Sequence, residues 1–127
     1  AIETPFGPTP DPVVEGWLGK TRLLFVSRHG KGHRLLPEEV PYQAIIFALK
    51  QLGAERVIGV SAAGSLRADI RPGDLAVARQ FVDATRGRPH TFFGQGIAGH
   101  IGFAKPVCPV LANAVYQAAR DLDINVH

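Results

Sequence analysis

Two short stretches of this chain carry side chains whose types and spacing suit anion chemistry. In the first, Ser27-Arg28-His29-Gly30 follows directly on the apolar run Leu23-Leu24-Phe25-Val26. Packing explains such a strand end poorly, because Arg is almost never fully buried unless paired. The Arg fork matches oxyanion geometry, and a neighbouring His adds a further donor. The strand end therefore reads as an anion clamp, with phosphate the best-fitting anion; a solvated surface pair is the competing reading. In the second stretch, Ser61-Ala62-Ala63-Gly64-Ser65 follows the β-branched run Arg56 to Val60. Small residues admit a ligand close to the backbone, and consecutive N–H groups with the Ser61 hydroxyl can cradle an anion. A tight turn that simply needs small residues accounts for the same stretch. It is neither a P-loop nor a G-x-G-x-x-G fingerprint. No G-x-S-x-G elbow marks Ser61 as a nucleophile.

A third stretch is Arg86-Gly87-Arg88-Pro89-His90-Thr91-Phe92-Phe93, followed by His100. Long loops in compact domains are often functional. Here Phe92 and Phe93 suit the wall of an apolar pocket, a subunit contact or an internal anchor. His33, His90 and the pair Glu38-Glu39 read as surface residues. Cys108 is the single cysteine, which excludes an internal disulfide and a cysteine-based zinc site. A free thiol fits a reducing cytoplasm. No cluster of metal-ligating residues stands out, and no metal is expected.

The elements that must position these residues follow from periodicity. Residues 1–12, with five Pro or Gly, read as an irregular loop. Val13 to Leu18 and Thr21 to Ser27 form a hairpin about Gly19-Lys20. Lys31 to Pro41 is a polar loop. Tyr42, Ile45, Ile46, Leu49 and Leu52 share one helical face, and Gly53 stops that helix. Arg56 to Val60 reads as a strand buried on both faces, as in a parallel sheet. Leu75 to Gln80 is a further strand, 83–100 a loop, and Pro109 to Leu122 a helix with Leu111, Val115, Ala118 and Leu122 inward. Asp123 to His127 begins another strand. Strands alternating with helices specify an α/β architecture with a largely parallel sheet.

Composition narrows the partners. The 127 residues are 46% hydrophobic and 20% charged, enough for one domain with a modest core. The net charge of +3 is spread along the chain rather than clustered. That favours a small anionic substrate over nucleic acid. No apolar run reaches about 18 residues, so no transmembrane helix and no membrane partner are expected. The first residues lack signal-peptide character. The absence of an initiator Met points to a processed or partial product.

Taken in order, Glu3-Thr4-Pro5-Phe6-Gly7, Ser27-Arg28-His29-Gly30, Pro41-Tyr42-Gln43-Ala44, Ser61-Ala62-Ala63-Gly64-Ser65-Leu66-Arg67, Pro72-Gly73-Asp74, Gly87-Arg88-Pro89 with Thr91-Phe92-Phe93, and Pro106-Val107-Cys108-Pro109 resemble the trimeric purine nucleoside phosphorylase family, and within it the methylthioadenosine phosphorylases. The resemblance covers nearly the whole chain. It implies a phosphorylase-type α/β fold, a mixed, largely parallel sheet flanked by helices, present here as a partial domain over residues 1–127. It implies phosphorolysis of 5′-methylthioadenosine to adenine and 5-methylthioribose 1-phosphate. Inorganic phosphate is then a co-substrate and no cofactor is needed. A homotrimer in the cytoplasm, serving purine salvage, is implied with it. By the same resemblance Arg28, His29, Ser61 and Ala62 bind phosphate, and Ala62, Ala63 and Gly64 line the nucleoside site. Ser61 stands where the family usually has Thr. His100 resembles the histidine that reaches a neighbouring subunit's pocket near the 5′ substituent.

Two departures qualify that expectation. The family begins with a strand and a Gly-rich turn that adds a phosphate contact, and it continues into a second half bearing the ribose contacts and the acidic residues that hold the purine. Neither is in this sequence. The isolated chain is therefore expected to lack turnover. The alternatives are a purine nucleoside or methylthioinosine phosphorylase, or an inactive phosphate- or nucleoside-binding remnant. No catalytic residue is assigned.

Overall fold

All of residues 1–127 are described by the computed structural model of the chain. They gather into two units, one of Ala1–Gly59 with Thr85–Ala98 and the other of Val60–Ala84 with Gly99–His127.

In the first unit the N-terminal segment is more ordered than its Pro and Gly content suggests. β1 (Glu3–Thr4) and β2 (Gly7–Pro8) pair antiparallel, with Thr4 opposite Gly7. The Thr4 hydroxyl closes the turn: it donates to the Gly7 carbonyl at 2.6 Å and accepts from the Phe6 N–H at 3.1 Å. Gly7 has φ +95°, which a β-carbon disfavours. Thr9 is only 2% exposed. Its hydroxyl accepts from the Ile2 N–H at 2.8 Å and donates to the Asp11 carbonyl at 2.9 Å, so this buried polar group is satisfied twice.

β3 (Val14–Leu18) and β4 (Thr21–Phe25) form the expected hairpin, with Leu18 opposite Thr21 and Gly19 at φ +59°. α1 (Tyr42–Gln51) buries Ala44, Ile45, Ala48 and Leu49. Gly53 ends it at φ +84°. The Gly53 N–H donates to Lys50 and the Ala54 N–H to Leu49, the paired bonds of a Schellman stop. The core is small: Val40, Ile45 and Leu49, packed by Leu24 and Val26 of the hairpin arm and by Leu35, Tyr42 and Ala54. Arg22 ties the hairpin to the end of α1. It pairs with Glu15 at 2.9 Å and donates to the Leu52 carbonyl at 2.7 Å, placing a cation at the negative end of the helix. The loop Thr85–Ala98 is held on the N-terminal half of α1. Gln43 donates to the Thr91 carbonyl at 2.6 Å, and the Arg88 guanidinium lies 5.5 Å from the Tyr42 ring centre. Phe6 meets Phe92 and Phe47 edge to face at 5.2 and 5.7 Å. Phe92 thus packs on Phe6 within the unit while staying 46% exposed.

In the second unit α2 (Pro109–Asp121) starts with Pro at its first position, where no N–H is needed. Its buried residues are Ala112 and Ala119, with Leu111, Val115 and Tyr116 half-buried; Ala118 and Leu122 are exposed, contrary to the inward face expected for them. Asp123 at φ +55° plays the part of a stop glycine, with the Asp123 N–H on Arg120 and the Ile124 N–H on Ala119. The chain then runs parallel to Leu75–Val77. Leu75 donates to Asn125, His127 to Leu75 and Val77 to His127, each at 2.9 Å. Pairing stops there, so the strand expected over 75–80 is reduced to a single parallel bridge. The strand expected over 56–60 is not realised either. Val57, Ile58 and Val60 are 54%, 60% and 84% exposed, and no ladder hydrogen bond reaches them. A strand buried on both faces needs neighbours to supply its ladder. No other segment of the chain takes that place beside it.

Asp74, its side chain 8% exposed, holds the turn before the parallel bridge. It accepts from the Arg71 N–H at 2.8 Å and faces His127 Nε2 at 3.2 Å. The Arg71 N–H first, then the Asn125 and His127 side chains, lower its pKa to about 2. A depressed carboxyl contributes stability that is complete above its ordinary value and lost as pH falls through the folded one. The thermal midpoint is therefore expected to fall between pH 3.8 and about 2, and Asp74→Asn to flatten that part of the curve, as read by thermal unfolding across the window. In the first unit, Leu49→Ala is expected to cost about 2–5 kcal/mol, measured by urea unfolding, because it opens a cavity at the centre of the one core cluster.

Candidate functional site

The loop after β4 is built around Gly30. Val26 is still half-buried against the core, and the backbone turns immediately afterwards. The Gly30 N–H donates to Ser27 at 3.0 Å, His33 to Gly30 at 3.0 Å, and Leu35 to His29 at 3.0 Å. Gly30 has φ +74° and Gly32 φ +79°. Gly30 is also buried under the Arg34 guanidinium. A β-carbon there would lie 2.3 Å from Arg34 Nη1. Arg34 cannot easily withdraw, because it is held at its far end: Nη1 stands 3.2 Å from both oxygens of Asp11, and Nη2 donates to the Pro10 carbonyl. The Lys31 N–H donates to the same carboxylate. Arg34 first, with the Lys31 N–H next, holds the Asp11 carboxyl below its ordinary range.

His29 is fixed in two directions. Its Nδ1 lies 2.9 Å from the Leu35 carbonyl. A carbonyl only accepts, so Nδ1 carries the proton and the neutral ring keeps a bare Nε2. Its face stacks on His33, centroids 4.3 Å apart at 16°. To meet a fully ionised phosphate, Nε2 must itself be protonated; otherwise it accepts a proton that the phosphate still carries. Arg28 is half-buried and belongs to no ion pair of the chain. Five basic residues thus fall between Arg28 and Arg34, and a single carboxylate, Asp11, binds among them.

Of the other expected site residues, Ser61, Ala62, Ala63 and Gly64 form one exposed stretch of the second unit. A β-carbon on Gly64 would meet nothing within 4 Å, so packing within the chain does not demand its small size. The stretch ends in a local cap, where the Ser65 hydroxyl accepts from the Arg67 N–H at 3.1 Å and donates to the Arg67 carbonyl at 2.8 Å. Arg67 in turn grips Asp69 with two bonds at 3.0 and 2.6 Å. His100 is exposed in the same unit. No group of three or more His, Cys, Asp or Glu is placed to hold a metal ion.

Sequence reasoning missed Asp11 and Arg34, the first in a stretch read as irregular and the second in a loop read as merely polar; Glu39 is exposed, as expected, but also bonds backbone. Glu39 accepts from the Leu36 N–H at 2.7 Å and so folds the loop that leads to α1. The available signal was Thr9-Pro10-Asp11, a short run of turn-forming residues whose polar side chains readily bond nearby backbone.

This chain, with a β-strand running into an Arg-His loop, a helix and an extended small-residue stretch, matches a known family. The model of the phosphorylase superfamily matches residues 1–127, and the chain belongs to that superfamily. It is 50% identical over 123 residues to S-methyl-5′-thioadenosine phosphorylase of Gloeobacter violaceus, covering 97% of this chain and 41% of that protein. It is 49% identical over 127 residues to the Geobacter sulfurreducens protein of the same name, covering 99% and 44%. Among solved structures, methylthioadenosine phosphorylase of Schistosoma mansoni in complex with adenine superposes with a TM-score of 0.93 at 42% identity, over 99% of this chain and 47% of that one. The methylthioadenosine phosphorylase from an antarctic soil metagenomic library superposes at 0.96 and 43% identity, over 99% and 45%. The fold is thus that of an α/β nucleoside phosphorylase, in part: the chain spans about half the length of the relatives it matches.

The glycines of the loop provide a direct check on its construction. Gly32→Ala meets no neighbour within 4 Å and is expected to cost only the left-handed strain, about 1–2 kcal/mol. Gly30→Ala carries the same strain and also displaces Arg34 from Asp11. Chemical denaturation of the two variants should show Gly30→Ala to be the more destabilised.

Proposed function

We propose that the protein containing this chain cleaves 5′-methylthioadenosine with inorganic phosphate, giving adenine and 5-methylthioribose 1-phosphate. The observation that carries this reading is the identity of about half the residues to enzymes of that name, over a segment that includes a pre-shaped Arg-His loop. In this reaction a phosphate oxygen bonds to C1′ as the bond from C1′ to the base breaks, the electron pair leaves with the base, and the proton given up by hydrogen phosphate ends on it to give adenine. The transition state carries positive charge on the sugar next to an anionic nucleophile. Holding the phosphate in line and balancing its charge are the main tasks of the protein.

In this reading Arg28 supplies the guanidinium fork and His29 the Nε2 contact. The Ser61 hydroxyl and the Ala62 N–H add phosphate contacts, and Ala62, Ala63 and Gly64 line the nucleoside site. The open space at Gly64 suits a ligand that approaches the backbone closely. His100 is assigned to the region of the 5′ substituent in a neighbouring subunit of a homotrimer. Phosphate is the co-substrate, no cofactor takes part, and the enzyme acts in the cytoplasm.

Release of adenine from methylthioadenosine in the presence and absence of phosphate, followed by chromatography, tests the reaction. Phosphate-dependent release is expected; its absence, or faster release of hypoxanthine from the inosine analogue, would replace the proposed substrate. Arg28→Ala is expected to weaken phosphate binding roughly 10- to 100-fold, the scale of losing a hydrogen bond to a charged group. An unchanged Kd by calorimetry would remove Arg28 from the site.

A further inference from the structure

The contact between the N-terminal segment and the Arg28–Arg34 loop has a use beyond the roles assigned above. Its parts are unusually specific for an exposed loop. One carboxylate, Asp11, takes the Lys31 N–H and, on both oxygens, Arg34 Nη1, while Arg34 Nη2 bonds the Pro10 carbonyl. Asp11 is itself placed by the buried Thr9, whose hydroxyl donates to the Asp11 carbonyl. Arg34 in turn roofs Gly30, the residue that follows His29. The loop closes on itself through two bonds between His29 and Leu35, one from the Leu35 N–H and one from His29 Nδ1. The residues gripped by Asp11, at 31 and 34, therefore sit inside the ring that the His29–Leu35 bonds close.

Charge gives the arrangement its purpose. Arg28, Lys31 and Arg34 put three permanent positive charges into seven residues, and such a loop repels itself when no anion is bound. Arg34 is also a second guanidinium within reach of the loop, able to compete with Arg28 for any arriving anion. A carboxylate that engages Arg34 removes both problems. It neutralises the loop locally and leaves Arg28 as the uncommitted fork.

We propose that Asp11 is a positioning residue for phosphate: its carboxylate sequesters Arg34 and pins the Lys31 backbone, so that Arg28 and His29 are presented in a binding-ready loop. This rests on the reading of Arg28 and His29 as phosphate ligands. The N-terminal hairpin is then part of the anion site's support, although none of its residues touches the ligand.

The test uses inorganic phosphate and calorimetry on Asp11→Ala, Asp11→Asn, Arg34→Ala and the double variant Asp11→Ala/Arg34→Ala, with 15N NMR of the histidine rings. Asp11→Ala is expected to raise the phosphate Kd about tenfold, the scale of one charge-assisted hydrogen bond, with nucleoside affinity unchanged and only the small fall in unfolding midpoint that an exposed ion pair accounts for. Asp11→Asn, which keeps the shape, separates charge from packing and should lie between. The effect should shrink when Arg34 is already Ala, because the competing guanidinium is gone. In the NMR spectrum the His29 Nδ1–H signal should weaken or shift in Asp11→Ala. An unchanged phosphate Kd overturns the proposal. So does a parallel loss of nucleoside affinity and thermal midpoint, which would mark Asp11 as a general structural residue. If wild-type protein fails to bind phosphate, the phosphate reading falls. The His29 signal then decides the clasp by itself: unaltered in Asp11→Ala, it removes Asp11 from control of the loop.

Discussion

Ile45 and Leu49 of α1, seated with Val40 against Leu24 and Val26, are the contact from which the first unit takes its shape. At about 25 cal/mol per Å² of buried apolar surface, a cluster this small supplies a limited share of stability. Every polar tie around it consequently gains weight. Arg22 binds the end of α1 to the hairpin, and the paired bonds at Gly53 stop the helix where Arg22 can reach it. Phe6 and Gln43 draw the distant loop 85–98 onto the same helix. The Arg28–Arg34 loop inherits its position from this packing, because Val26 is the last residue of the β4 arm packed on the core before the chain turns at Ser27.

Beyond that point electrostatics and backbone conformation replace burial as the organising forces. Gly30 and Gly32 take conformations that a side chain resists, and the turn they allow brings Leu35 back to His29. The return bond selects the tautomer of His29, and Asp11 keeps Arg34 occupied. An exposed ion pair normally contributes little to stability, about 0–1 kcal/mol. The Asp11–Arg34 pair differs in what it engages: Arg34 is held by Asp11, while Arg28 belongs to no ion pair. Asp74 shows the complementary case in the second unit. There a carboxylate shielded by its turn anchors the short parallel pairing of Leu75–Val77 with the end of the chain.

Much of this was legible in the order of residues. The hairpin about Gly19-Lys20, both helices, the stop at Gly53 and the family resemblance follow from local periodicity, glycine placement and short motifs, which act over a few residues. The strands expected over 56–60 and 75–80 and the inward Ala118 and Leu122 were not borne out. Both expectations assumed a neighbour: a β-branched run is buried only where other strands flank it, and a helical face is inward only where something covers it. The supposedly irregular residues 1–12 failed in the opposite direction, since Thr4 and Thr9 build order from side-chain hydrogen bonds that composition does not display.

The sequence by itself determined the β3–β4 hairpin, both helices, the family and the presence of an Arg-His pair at a strand end. These depend on residue type and short spacing, which a linear chain displays in full. Only the tertiary structure decided that Asp11 meets Lys31 and Arg34 some twenty residues away, that Arg34 rather than Arg28 is spoken for, and that His29 carries its proton on Nδ1. Each of those is a choice among several chemically equivalent partners. Nothing in the types of the residues ranks such partners; the distances set by the fold do.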